Sequence, residues 1–100
     1  MGKLVRDKIP EIIEASGATP LTRILETEEY LSCLEAKLDE EVSEFHKDQN
    51  LEELADILEV LYALTEKLGH SKDELLKACE KKHQERGGFR DRVFLISNDG

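Results

Sequence analysis

The sequence predicts an all-α protein, a four-helix bundle, and three observations support this. Apolar residues recur at intervals of three and four through most of the 100 residues, which is the period of an amphipathic helix. Short polar or glycine-containing breaks divide the pattern into four segments. Residues suited to capping a helix stand at those breaks. The length is that of one small domain with one core.

The first predicted helix is short and covers about Asp7 to Ala15, with Asp7 as its N-cap. Pro10 is tolerated there because the first turn of a helix does not need its backbone N–H groups. The second helix is predicted to begin after Thr27, its expected N-cap, and to end near Asp48, where a polar cluster favours a turn.

The third predicted helix runs from Leu51 to Leu68 behind an Asn50 cap, and it is apolar on more than one side. It is therefore expected at the centre of the bundle or in a subunit interface, and a homodimer or homotetramer follows from that expectation. Gly69 suits the end of this helix. Ser71 to Glu74 has the pattern of a capping box, and it opens a fourth helix from Lys72 to Arg86.

Two segments outside the helices have an extended character. Residues 21–25 follow a proline and contain β-branched side chains, and residues 92–96 include the run Val93 to Ile96. A strand needs a partner, so these two segments are expected to pair as a small two-stranded ribbon.

The charge of the chain is concentrated in one region. The formal net charge is −9, and residues 26–59 hold thirteen Asp or Glu against two Lys, a local balance of −11. Such a field repels nucleic-acid polymers, and it repels a small polyphosphate unless cations intervene. No apolar run approaches the roughly 20 residues of a membrane span, and no stretch has the pattern of a signal peptide. We therefore expect no membrane partner and a cytoplasmic location.

Two acidic pairs on consecutive predicted helices form a candidate metal site: Glu41 with Glu44, and Glu53 with Asp56. Residues three apart on a helix differ by about 60° around the axis and about 4.5 Å along it, so each pair can point at one place. If the helices fold back on each other, four carboxylates meet. Such oxygen ligands suit Mg²⁺, or Mn²⁺, and Mg²⁺ often binds a substrate phosphate as well. The spacing favours a phosphate ester or anhydride as substrate.

Each pair also has a purely structural explanation. Glu53 stands three residues after Asn50 and could complete a capping box. Glu41 and Glu44 could simply face solvent, as most charge runs do. Asp56 is the hardest to explain in this way, because Asp is a poor helix former in the interior of a helix.

The two pairs lie in the motifs EEVSE (residues 40–44) and EELAD (residues 52–56). Together with KLVRDKIPEII at residues 3–13, EELADILEVLYAL at residues 52–64 and RGGF at residues 86–89, they resemble the MazG-like all-α nucleoside triphosphate pyrophosphohydrolases. The similarity covers nearly the whole chain. It is to a small, phosphoribosyl-ATP pyrophosphohydrolase-like branch that is predicted to destroy noncanonical nucleotides.

The resemblance implies a single MazG-like domain over residues 1–100, with Glu41, Glu44, Glu53 and Asp56 as the magnesium ligands. It also implies hydrolysis between the α and β phosphates of a nucleoside triphosphate, giving a monophosphate and pyrophosphate. No covalent nucleophile is required. Glu40 or Glu41 is the candidate to accept the proton of the attacking water.

Basic groups should hold the phosphates that the metal does not reach. The candidates, each of which could instead be solvated or paired with an acidic helix, are Arg6, Lys8, Lys82 and Arg86. An aromatic wall for the base could come from Tyr30, Phe45, Tyr62 or Phe89, although core or interface positions explain these residues equally well.

Two other functions are compatible with the sequence. One is a non-catalytic helical module whose acidic face binds a basic partner, and it would show neither Mg²⁺ dependence nor turnover. The other is a phosphoribosyl-ATP pyrophosphohydrolase, which performs the same chemistry on one metabolic substrate.

Overall fold

Four helices make up the fold, as described for residues 2–98 by a computed structural model. In chain order they are α1 (Ile9–Ala15), α2 (Thr27–Asp48), α3 (Leu51–Lys67) and α4 (Lys72–Arg86). The predicted all-α, four-helix fold is confirmed. None of these helices has both the length and the apolar content that crossing a bilayer demands.

The hairpin of α2 and α3 holds most of the packing. A two-residue connection, Gln49 and Asn50, reverses the chain so that the two long helices lie against each other. Asn50 caps α3 as predicted, since its side chain accepts a hydrogen bond from the Glu53 N–H at 2.9 Å. Leu34 of α2 and Val60 of α3 are buried, with 3% and 7% of their surface exposed, and they mark the small core.

The connection between α3 and α4 follows local rules. Gly69 adopts a left-handed conformation with φ of 89°. Its N–H donates to Glu66 O, and the His70 N–H donates to Thr65 O, each at 3.0 Å, which is a Schellman ending. The capping box of α4 is also confirmed, because the Ser71 N–H and the Glu74 N–H each bond the other residue's side chain, at 2.9 and 3.1 Å.

Two predicted helix starts were wrong. α1 begins at Ile9, after Lys8, because the Ile9 N–H already bonds Arg6 O in a tight turn at 3.0 Å. Asp7 is therefore not its N-cap. Thr27 is the first residue of α2, and the N-cap is Glu26, whose N–H donates to the Glu29 carboxylate at 3.2 Å.

The expected β-ribbon is absent from the described chain. Neither residues 21–25 nor residues 92–96 form a strand. Leu21, Ile24 and the run Val93 to Ile96 are all exposed instead. A strand is stable only when its backbone groups pair with a neighbouring strand, and these two segments do not pair.

α3 lies between α2 and α4, but its wide apolar surface is only partly covered. Leu54, Leu58 and Leu61 are 46%, 43% and 37% exposed, whereas Val60 and Thr65 are buried on the side that packs. The chain alone therefore does not place α3 in the centre of a closed bundle. The alternative, that α3 lies in a subunit interface, stays a prediction.

Truncating the small core should destabilise the protein strongly. Leu34→Ala removes a buried side chain from the α2–α3 contact, so we expect a loss of about 2–5 kcal/mol in the free energy of unfolding. Leu21→Ala is the matched control, because Leu21 is fully exposed. Urea denaturation followed by circular dichroism, at one protein concentration, measures both. Equal effects of the two variants would contradict this description of the core.

Candidate metal centre

Three carboxylates meet where α2 and α3 pack together. Glu41 of α2 and Glu53 and Asp56 of α3 each offer an oxygen atom, and these atoms all lie within 4.8 Å of one another. The hairpin explains the meeting, because Glu41 lies about two turns before the end of α2 while Glu53 and Asp56 lie in the first two turns of α3. The sequence predicted that four carboxylates would meet here; three of the four do, and their role as metal ligands stays a prediction.

The donor set suits a hard divalent cation. Neighbouring oxygen ligands of octahedral Mg²⁺ are about 2.9 Å apart and opposite ones about 4.1 Å, given Mg–O distances of about 2.05 Å. The three oxygens lie within 4.8 Å of one another, and an ion held between them would draw them to these separations. Glu41, Glu53 and Asp56 therefore fit the ion that the resemblance implies.

Glu44 lies outside this group of three. Its side chain is exposed, although it lies three residues from Glu41, the same spacing as between Glu53 and Asp56. Its negative charge nevertheless contributes to the electrostatics of Glu53. Its role as a fourth ligand stays a prediction.

Burial raises the pKa of Glu53, and repulsion from four carboxylates adds to the effect. The four are Asp56, Asp48, Glu44 and Glu41, in that order. The capping box proposed as an alternative for Glu53 does not form at the start of α3. The Glu53 backbone N–H bonds Asn50, while its carboxylate lies in the acidic group. A cation at this place would relieve the repulsion.

The chain's own cations contact two of the three carboxylates. Arg6 Nη1 lies 3.2 Å from Asp56 Oδ1, and Arg6 Nη2 lies 3.5 Å from Glu59 Oε1. Lys37 Nζ lies 3.3 Å from Glu41 Oε1 and 3.4 Å from Glu40 Oε1. Among residues 2–98 no ion pair within 4 Å reaches Glu53, which leaves its charge uncompensated.

A cavity of about 680 Å³ opens beside two members of the acidic group, and Glu53 is not among its lining residues. Arg6 and Lys8 of the segment before α1 line it together with Glu41 and Asp56. Its apolar lining includes Ile9, Ile12, Tyr30, Leu34 and Val60. A volume of this size accommodates a small organic ligand, and the cavity offers that ligand acidic, basic and apolar walls.

Two of the predicted phosphate-binding residues lie elsewhere. Lys82 and Arg86 line a second cavity, of about 620 Å³, at the C-terminal end of α4. It also includes His83 and Phe89. Within the described chain neither Lys82 nor Arg86 lines the acidic cavity, so one copy does not bring all four basic residues to one place.

Lys37 and Glu59 were not among the predicted site residues. Glu59 had a usable signal, since it continues the three-residue step from Glu53 through Asp56 on one side of α3. Lys37 is placed four residues before Glu41, a spacing that favours an ion pair on a helix. Only the packing reveals that Lys37 is largely buried beside the site, with 16% of its side chain exposed.

Comparison with known proteins adds one partial match. A protein of Mycolicibacterium smegmatis, described only as uncharacterized, is 61% identical to this chain over 44 residues. The match covers 44% of this chain and 45% of that protein's length. No family model matches the chain. No solved structure matches it significantly.

Removing the charge of Glu53 should stabilise the metal-free protein at neutral pH. A carboxyl group whose pKa is raised by folding favours the folded state when protonated. This contribution is present below the ordinary pKa of 4.5 and is lost as pH rises through the raised pKa. Glu53→Gln should therefore have the higher free energy of unfolding at pH 7, and the difference from wild type should vanish in acid.

Denaturant titrations across the pH range, with chelator present, measure this effect. Glu52→Gln is the matched control, because Glu52 is an exposed carboxylate of the same turn outside the acidic group. We expect that control to stay within about 0.5 kcal/mol of wild type. A Glu53→Gln variant that is less stable than wild type at pH 7 would contradict the electrostatic account.

Proposed function

We propose that this protein is a Mg²⁺-dependent nucleoside triphosphate pyrophosphohydrolase. It would cleave the α–β phosphoanhydride and release a nucleoside monophosphate and pyrophosphate. The observation that carries the proposal is the convergence of Glu41, Glu53 and Asp56, of which Glu41 and Asp56 line a cavity together with Arg6 and Lys8. Carboxylates from two helices facing basic side chains are what a metal-bound polyphosphate requires.

The proposal includes the setting that the family resemblance implies. The substrates would include noncanonical nucleotides, so the enzyme would remove damaged or unusual triphosphates in the cytoplasm. Mn²⁺ would also support activity in place of Mg²⁺, because both ions prefer carboxylate oxygens.

The acidic residues would hold the ion and so make the site acceptable to a polyanion. Glu41, Glu53 and Asp56 supply three oxygens, and we propose Glu44 as a fourth ligand recruited by a side-chain rotation. When bound, such an ion would neutralise charge on the triphosphate and lower the pKa of a water molecule. Without it, the −11 balance of residues 26–59 repels the substrate.

Arg6 would change partners when substrate arrives. In the structure it pairs with Asp56 and Glu59, which keeps a guanidinium at the mouth of the site. Asp56 would give up that ion pair if it held a cation, and a phosphate is a good bidentate partner for the guanidinium that Arg6 would then have free. Lys8, which lines the same cavity, would hold a second phosphate.

Lys37 would position the group that accepts the proton of the attacking water. It contacts both Glu40 and Glu41, the two candidate acceptors. Glu41 is committed to the acidic group, whereas Glu40 is an exposed carboxylate beside it. Glu40 is therefore the freer of the two, and a water molecule would deliver its proton there.

The nucleoside would lie against the apolar part of the cavity. Tyr30 offers an aromatic face, and Leu34, Val60 and Ile9 offer apolar surface next to the phosphate-facing side chains. Such walls bind a base by burial and stacking, with little selection among bases. This arrangement supports a broad nucleotide substrate class.

A binding module without catalysis is the second candidate function. The observation that favours it is the exposure of most acidic side chains of α2, among them Glu28, Glu35 and Asp39. Such a face would bind a basic partner, and the affinity would fall at high salt. Metal-dependent turnover of any nucleoside triphosphate excludes this candidate.

Substitution of Asp56 should remove activity without unfolding the protein. A panel of canonical and modified nucleoside triphosphates, with pyrophosphate release as the readout, first identifies a substrate. Asp56→Asn should then reduce Mg²⁺-dependent turnover by more than about 100-fold. Mutating a residue that only hydrogen-bonds a metal ligand typically lowers metal affinity or activity about 10- to 100-fold, and loss of a ligand should have a larger effect. Glu44→Gln tests the fourth ligand in the same assay and should also abolish turnover.

Asp39→Asn is the matched control, since Asp39 is an exposed carboxylate of α2 and should leave turnover unchanged. Circular dichroism establishes that each variant stays helical. Full activity of Asp56→Asn would remove the acidic group from the mechanism. Full activity of Glu44→Gln would remove Glu44 alone.

Substitution of Arg6 should have opposite effects on metal and nucleotide. In Arg6→Gln the free protein should bind Mg²⁺ more tightly, because no guanidinium competes for Asp56. The KM for the nucleotide should rise, because a phosphate contact is lost. Calorimetry measures the first effect and steady-state kinetics the second. Arg23→Gln, which breaks the separate pair with Glu29 at 2.8 Å, should change neither. Unchanged metal affinity in Arg6→Gln would contradict the competition.

A further inference from the structure

A single copy of this chain exposes far more surface than a compact protein of its mass. The accessible surface is 9155 Å², whereas a folded 11.4 kDa monomer exposes about 5,800 Å². The radius of gyration is 17.9 Å, against about 13 Å for a compact domain of 100 residues. The excess, about 3,400 Å² per chain, exceeds the roughly 800 Å² that each partner contributes to a standard interface.

Much of the exposed apolar surface belongs to two places. The first is the outer face of α3, which consists of Leu54, Leu58 and Leu61, spaced so that they share one side of the helix. The second is the run Val93 to Ile96 after α4, whose four side chains are between 71% and 91% exposed. Contiguous apolar patches of this kind mark interaction sites.

α4 is also too exposed to be stable by itself. None of its fifteen residues is buried, and it packs only along α3. Isolated helices of this length are marginal in water, and helices in proteins depend on tertiary packing. The exposed side of α4 and the segment after it would therefore gain stability from a surface that covers them.

The charges of these regions are complementary. Residues 77–92 carry six Lys or Arg against three Asp or Glu, a balance of +3. The α2–α3 region, residues 26–59, has a balance of −11. Opposite charges steer two surfaces together and fix their register. We call residues 77–98, which join the basic end of α4 to the apolar run, the basic arm.

We propose that the basic arm of one copy packs on the α2–α3 hairpin of a second copy, with Val93 to Ile96 against the outer face of α3. The exchange is reciprocal, since a two-fold dimer uses the same pair of surfaces twice. The occupant is a second copy because the chain itself supplies both the exposed apolar run and the exposed face. Each copy thereby covers the α3 and α4 surfaces that are exposed in the other copy.

Sedimentation velocity of the full chain at micromolar concentration tests the proposal. Wild type should be a dimer or a higher oligomer built from it. Leu95→Asp in the arm and Leu58→Asp in the outer face should each dissociate it. Ala18→Asp, an exposed residue in neither surface, should not. A monomeric wild type, or a dimeric Leu95→Asp, would overturn the proposal.

Mixing the two dissociated variants distinguishes exchange between copies from a simple α3–α3 contact. The Leu58→Asp variant retains an intact arm and the Leu95→Asp variant retains an intact face, so the mixture should form a heterodimer with one good interface. Failure of the mixture to associate, while each variant keeps its helical circular dichroism, would overturn the reciprocal arrangement.

A milder variant guards against loss of folding. Arg90→Glu keeps every apolar contact and reverses one arm charge. It should weaken dimerisation about fivefold at low salt, and the difference from wild type should disappear at high salt. If Arg90→Glu and wild type dimerised with equal affinity at low salt, the proposed attraction between the basic arm and the acidic hairpin would be overturned. Association, not turnover, is measured throughout, so failure here leaves the proposed catalysis standing.

Discussion

The antiparallel packing of α2 on α3 is the constraint from which the other features follow. It buries Leu34 and Val60, and it brings Glu41 beside Glu53 and Asp56. The same contact that builds the core therefore concentrates negative charge. Burial and repulsion raise the pKa of Glu53, so part of the packing energy opposes the charge that it gathers. Conflicts of this kind are typical of functional sites.

Two basic side chains, which differ in how firmly the fold holds them, offset part of this repulsion. Lys37 is held within α2, four residues from Glu41 and largely buried, so it is a fixed part of the site. Arg6 comes from an exposed segment before α1, and a segment of that kind is free to release Asp56. This difference is consistent with the two proposed roles, in which Lys37 positions a neighbouring carboxylate and Arg6 exchanges Asp56 for a ligand. Glu53 pairs with neither cation, and among residues 2–98 no ion pair within 4 Å compensates its charge.

The scarcity of buried side chains gives the fold its second property. Hydrophobic burial drives folding. Within one copy little of that burial comes from α1 and α4, which have no buried residues, or from the exposed run Val93 to Ile96. Association would therefore contribute to stability as well as to any function. A chain of this kind would couple its folding to its concentration.

The sequence by itself determined the features that depend on near neighbours along the chain. The Asn50 cap, the Ser71 capping box and the Gly69 ending set the limits of α3 and α4, because capping involves residues within one turn. Helical spacing likewise predicted that four carboxylates would meet, and three of them, Glu41, Glu53 and Asp56, do. Only the tertiary structure decided what depends on distant contacts. It left Glu44 exposed, paired Arg6 with Asp56 across fifty positions, and kept the Val93 to Ile96 run from pairing as a strand. Packing between distant segments selects among the partners that local patterns leave open.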